Sequence, residues 1–129
     1  MSNSWKPKGY SSVSPYLVVP SAQSVLNFLQ EAFDANELRR FYRPDGSLMH
    51  VELQIEDTVV MIGDATNTWV ATVAQLHIYV QDVMRTYQRA VHAGGVSILE
   101  PTRKEGDSDR RAGVKDPAGN TWWIATQEA

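Results

Sequence analysis

The sequence predicts an α+β fold: two βαβββ modules whose strands make a curved, mostly antiparallel sheet with the helices on its convex face. Three observations carry this. The order strand, helix, three strands occurs twice along the 129 residues. Only two segments have a helical period, and each begins at a residue suited to capping. The other apolar stretches alternate with period two, as strands with one buried face do.

Residues 1–13 are polar and turn-rich and read as an N-terminal arm; residues 14–129 read as one domain, with modules at about 14–68 and 73–127. "PYLVV" is the first strand, closed by Pro20. Ser21 caps a helix with Val25, Phe28, Leu29, Ala32 and Phe33 on one stripe. "ELRRFYR" is a strand with "PDG" as its turn, and "LMHVELQI" and "TVVMIGD" form a hairpin across Glu56 and Asp57. The plan then repeats. "AQLHIYV" is a strand, and Asp82 caps a helix in which Val83, Tyr87, Ala90 and Val91 share a face, stopped at Gly94-Gly95. "VSILEP" is a strand, "RKEGDSD" a polar loop, and "RRAGVK" and "TWWIAT" a hairpin across "DPAGN". A constant shift that lays Tyr16 on His77 also lays Pro20 on Gln81, Ser21 on Asp82, Phe28 on Arg89 and Ala32 on Ala93. With the final turn two residues longer, Met61 falls on Trp123.

Composition narrows the function. A net charge of −3 with both signs scattered argues against nucleic acid as a partner, because phosphate binding needs a basic surface. No apolar run reaches the ~18 residues of a membrane span, and the start "MSNSWKPKGYSSVSP" lacks the apolar core of a secretory signal; the expectation is a cytoplasmic protein without a membrane partner. The absence of cysteine excludes disulfides, thiolate metal sites and cysteine nucleophiles. No serine sits in a G-x-S-x-G elbow, and no glycine-rich stretch has P-loop spacing.

Alternation sorts the strand residues onto two faces. Pro15, Leu17, Val19, Val51, Leu53, Ile55, Val60, Ile62, Leu76, Ile78, Val80, Ala112, Val114, Trp122 and Ile124 form the helix-facing set. Each large one contributes roughly 1.5–3 kcal/mol when buried. The opposite face collects Ser14, Tyr16, Val18, His50, Glu52, Gln54, Met61, Gln75, His77, Tyr79, Arg111 and Trp123. If the sheet curves away from its helices, this face is a groove lined for an aromatic or amphipathic small molecule; otherwise it is a solvated outer face carrying a few aromatics. The candidate ligand-binding residues are Tyr16, His50, Glu52, Gln54, Met61, Gln75, His77, Tyr79, Arg111 and Trp123. No catalytic residue is assigned.

The paired βαβββ plan, with "GYSSVSPYLVV", "LQEAFDA" and above all "RRAGVKDPAGNTWWIAT", resembles the vicinal oxygen chelate superfamily of glyoxalase I, extradiol dioxygenases and bleomycin-resistance proteins, and more narrowly its PhnB-like branch. The resemblance runs from about Gly9 to the end. It implies a U-shaped sheet, a homodimer, and a ligand lying in the concavity near the partner subunit. In metal-dependent members four side chains, one from each leading and closing strand, hold a divalent ion, typically as His and Glu. The matching residues here are Ser14, Met61, Gln75 and Trp123, and the Glu place of "DPxGNxxE" holds Trp123. Neutral oxygens, a soft thioether and an indole are a poor donor set for such an ion, so the expected cofactor is none.

Alternatives remain open. His50, Glu52 and His77 share a face, and two histidines with a carboxylate can hold iron or zinc at a displaced site. His50 and Glu52 can also act as an acid–base pair, their strand positions standing roughly 6–7 Å apart at the base. The groove can serve contact with another protein. In "RKEGDSDRR" the charge is self-compensating, or Arg110 or Arg111 closes over a ligand; in "RRFYRPDG" Arg40 and Tyr42 lie on one face and Phe41 on the other. Trp69, in a polar connector, packs over the groove or at a dimer interface, and Trp5 in the arm does likewise.

Overall fold

A computed structural model describes residues 5–129. Their element order is β1 (Tyr16–Val19), α1 (Ala22–Phe33), β2 (Asn36–Tyr42), β3 (Leu48–Ile55), β4 (Thr58–Asp64), β5 (Gln75–Tyr79), α2 (Val83–His92), β6 (Val96–Arg103), β7 (Asp109–Lys115) and β8 (Thr121–Gln127). This is the α+β fold of two βαβββ modules. The curved sheet comes in two four-stranded mixed halves, β1-β4-β3-β2 and β5-β8-β7-β6. In each the leading strand runs parallel to the closing one, and the other pairs are antiparallel.

The internal repeat is visible in registers and caps. Tyr16 lies opposite Met61 in the first sheet, and His77 opposite Trp123 in the second. Ser21 and Asp82 both cap, accepting from the backbone N–H groups of Ser24 and Arg85. Asp64 ties α1 to its sheet, its carboxylate accepting from Ala22 N at 2.7 Å and Leu48 N at 2.8 Å. The "DPAGN" turn is held by Asp116, which is buried and accepts from Ala118 N, from Asn120 and from the Trp122 indole N–H at 3.0 Å. One acidic side chain thereby fixes the last hairpin and the orientation of its inner tryptophan.

The core is shared between the modules. Leu17, Val19, Val51, Leu53, Ile55, Val60, Ile62, Ala112, Val114, Trp122 and Ile124 are buried in one cluster with α1, and Phe33 packs against Trp122 at 5.1 Å between ring centroids. Three expected core members, Leu76, Ile78 and Val80, are only half-buried, as is Pro15. The repeat explains this. Where α1 presents Val25 and Phe28, both buried, α2 presents Thr86 and Arg89, so the inner face of β5 is left partly uncovered. Beside it lies a cavity of about 790 Å³ lined by Leu76, Ile78, Val80, Phe33 and Trp122, with Arg85 and Arg89 among its polar groups. Val91, expected on the buried face of α2, is 40% exposed; the core contacts of that helix come from Val83, Tyr87 and Ala90.

Candidate functional site

Both sheets turn their helix-facing side chains into the shared core, so the opposite faces point away from it. On the first sheet, β1 and β3 bring together Tyr16, His50 and Glu52. His50 Nε2 lies 2.6 Å from Glu52 Oε2, and Tyr16 Oη lies 2.5 Å from His50 Nδ1. Glu52, expected among the ligand-lining residues, is instead buried at 2% exposure. Two residues cover it: Arg39 Nε donates to Oε1 at 2.7 Å, and the Tyr10 hydroxyl donates to the same oxygen at 2.5 Å. Burial pushes the Glu52 carboxyl up, but hydrogen bonds from Arg39, Tyr10 and His50 outweigh it and bring the pKa down from 4.5 to about 2.

Arg39 and Tyr10 were not anticipated. A β-bulge between Glu37 and Arg39 sets Arg39 opposite Glu52 and Phe41 opposite His50, while Arg40 pairs with Glu37 and Tyr42 on the other side. The alternation of Arg40 and Tyr42 against Phe41 therefore holds. Trp69 folds over the groove face: its ring covers Gly63, where a Cβ would stand 2.8 Å from an indole carbon, and it meets Tyr16 edge-on at 5.3 Å. Arg43 sits 5.9 Å from that indole, its guanidinium held by Ser47 Oγ and Asp64 O. Gln54 turns to the hairpin end, donating to Glu56 O, and Met61 lies in register between Tyr16 and Glu52. Trp5 is 84% exposed.

On the second sheet, Gln75, His77, Tyr79, Arg111 and Trp123 share a face. Trp123 lies over Gly113, where a Cβ would come within 2.7 Å of its ring, and its N–H donates to Gln75 Oε1 at 2.9 Å. The indole is thus fixed flat on the strand by a missing side chain below and a hydrogen bond at its edge. Arg111 donates to His77 Nε2 at 3.2 Å, to Asp107 at 2.8 Å and to Asp109 at 2.9 Å. Asp109 also accepts from the Tyr79 hydroxyl at 2.6 Å. Partial desolvation, with the Arg111 charge adding to it, lowers the His77 pKa and favours the neutral ring that accepts from Arg111. Arg110 pairs instead with Glu128 near the chain end.

The donors fit a metal poorly. Of the four positions that carry ligands in metal-dependent proteins of this plan, Gln75 and Trp123 are hydrogen-bonded to each other, and Ser14 shares a hydrogen bond with Ser11. Met61 offers only a soft thioether. Among the described residues no three His, Cys, Asp or Glu side chains converge as a metal cage, and His77 turns to Arg111 instead of joining His50 and Glu52. No helix among the described residues is long and apolar enough to cross a membrane. The cavity beside β5 is a separate feature: its lining includes His77 and Tyr79 but otherwise none of the groove residues.

Paired βαβββ modules, closing strands that end in the "DPAGN" hairpin, and sheets with an aromatic and polar outer face together define a class of small modular α+β proteins. The chain belongs to the Glyoxalase/Bleomycin resistance protein/Dioxygenase superfamily, whose family model matches residues 12–124. An uncharacterized protein of Mycobacterium bovis is 34% identical over 122 residues, covering 86% of this chain and 80% of that protein. Among solved structures, TioX from Micromonospora sp. ML1 superposes with a TM-score of 0.77 at 20% identity, covering 91% of this chain and 98% of its own. TnmS3, an antibiotic binding protein from Streptomyces sp. CB03234, superposes with a TM-score of 0.67 at 19% identity, covering 91% and 97%. At these identities the structural likeness is one of fold.

Proposed function

We propose that this protein binds a small aromatic or amphipathic organic molecule against the outer faces of its sheets, without a metal ion, and holds the molecule instead of transforming it. The observation that carries this reading is Trp123, a fixed and half-buried indole at the place where metal-using relatives keep a carboxylate. A flat aromatic platform offers stacking to a planar ligand. Tyr16, Tyr79 and Trp69 extend it, and His50, Gln75, His77 and Arg111 supply polar specificity around Met61, with the buried Glu52 holding His50 in place. The fold shared with an antibiotic binding protein supports sequestration of an antibiotic or metabolite as the role.

In this reading the protein is a cytoplasmic homodimer of the PhnB-like branch. Support for a second subunit comes from the openness of each face in a single chain, with Tyr16 42% and Tyr79 60% exposed. The test is titration of tryptophan fluorescence with a panel of planar aromatic compounds, comparing the wild type with Trp123→Ala. The reading expects at least a tenfold loss of affinity, about 1.4 kcal/mol, in the variant. Equal affinities would remove Trp123 as the platform.

A second reading, metal-free acid–base catalysis, has one observation in its favour: the 2.6 Å contact between His50 and Glu52, which strand spacing alone did not guarantee. Turnover of a bound compound that is lost in His50→Gln would establish it.

A further inference from the structure

The surroundings of Glu52 fix the direction of a hydrogen-bond chain that ends at an exposed hydroxyl. The carboxylate is ion-paired with Arg39 and accepts from Tyr10, so toward His50 it also accepts, and the imidazole proton resides on Nε2. In the neutral imidazole His50 Nδ1 then carries a lone pair, and Tyr16, 2.5 Å away, donates to it. With its single proton committed inward, Tyr16 Oη faces the groove as an acceptor. Aromatic walls flank it, Trp69 edge-on at 5.3 Å and Phe41 beyond His50 at 6.1 Å. The charged and titratable groups around the chain are Glu52 from β3, Arg39 from β2, Tyr10 from the arm, and Arg43 just past β2.

We propose that Tyr16, His50 and Glu52 form a proton-accepting relay, and that the ligand of this face is a phenol that gives up its O–H proton on binding. The phenol O–H bond breaks and its proton passes to Tyr16 Oη, while the Tyr16 proton moves to His50 Nδ1. The ligand is left as a phenolate, and His50 as an imidazolium facing the Glu52 carboxylate. No electrons are exchanged and no further reactant is needed. Arg43, held beside Trp69, adds a positive charge on this side of the sheet. This rests on the aromatic-binding reading above and narrows it to ligands with an acidic hydroxyl.

The probes are 4-nitrophenol, whose anion absorbs visibly, and its methyl ether 4-nitroanisole, measured with the intact protein by equilibrium dialysis and absorbance across pH. The expected result is that bound 4-nitrophenol ionises at least one pH unit below free 4-nitrophenol and binds about tenfold more tightly than the ether. His50→Gln, which keeps a side-chain amide toward Glu52, is expected to return the ionisation of bound 4-nitrophenol to that of the free compound and to remove the preference for phenol over ether, in a protein that still unfolds cooperatively. Tyr16→Phe is expected to do the same. Bound nitrophenol that titrates as it does in solution, or that stays ionised in His50→Gln, would overturn the relay. Equal binding of phenol and ether would overturn the relay and leave the aromatic reading standing. Binding of neither probe would overturn both.

Discussion

Replacing Glu52 with glutamine keeps the shape of a buried side chain and removes its charge, which gives a sign and a size to test. The folded-state carboxyl lies at about 2 against an ordinary 4.5. At about 1.4 kcal/mol per pH unit this sets a ceiling of about 3 kcal/mol. Its main partner Arg39 is 52% exposed at the side chain, and solvent screening of that half of the pair reduces the expectation to about 1–2 kcal/mol. Between pH 4.5 and 2 the unfolded chain binds the extra proton. The Glu52 contribution is therefore complete above pH 4.5 and lost as the pH falls toward 2. Asp34, Glu37, Asp45, Asp107 and Glu128 are also lowered by their arginine or hydrogen-bond partners, but they act alike in both proteins and cancel in the difference. Urea unfolding followed by circular dichroism at pH 7 and at pH 2.5 gives the two gaps between wild type and Glu52→Gln. The gap should narrow by about 1–2 kcal/mol at the lower pH. A gap that stays constant would refute the ionised, arginine-paired Glu52 on which the groove geometry depends.

Asp116→Ala strips the last hairpin of its acceptor and leaves the Asn120 amide and the Trp122 indole N–H without their partner, so urea unfolding should show a loss of about 3 kcal/mol or more. Gly113→Ala places a methyl within 2.7 Å of the Trp123 ring; a shifted tryptophan emission and weakened aromatic binding are expected, with binding equal to wild type as the refuting result. Ser21→Ala removes the N-cap of α1 and should cost about 1 kcal/mol, measured by the same unfolding assay.

Much of the fold could be read from residue order because one force dominated each decision. The limits of β3 and β4 coincide with "LMHVELQI" and "TVVMIGD", where alternation against a buried helix admits a single register. Trp122 and Trp123 separate onto two faces as adjacent strand residues do, one buried at 2% exposure and the other on the outer face. What could not be read was set by contacts between distant segments. Arg39 reaches Glu52 because of a bulge, and a bulge leaves no trace in the letters "ELRRFYR". Tyr10 belongs to an arm without periodicity, so nothing local announces that its hydroxyl caps a buried carboxylate 42 residues away. The half-buried inner face of β5 follows from Arg89 standing where α1 has Phe28, a comparison that the repeat makes available once both helices are placed. The two outer faces could thus be read from alternation, while the contacts that fix His50 and Glu52 came from outside the alternating pattern.

The central claim is aromatic binding that needs no metal. Calorimetric titration of the protein with a planar aromatic ligand, before and after exhaustive chelation and dialysis, tests it most directly. Affinity unchanged by chelation and reduced at least tenfold in Trp123→Ala is the predicted result. Binding that disappears with the chelator and returns with stoichiometric zinc, iron, manganese or nickel would contradict it.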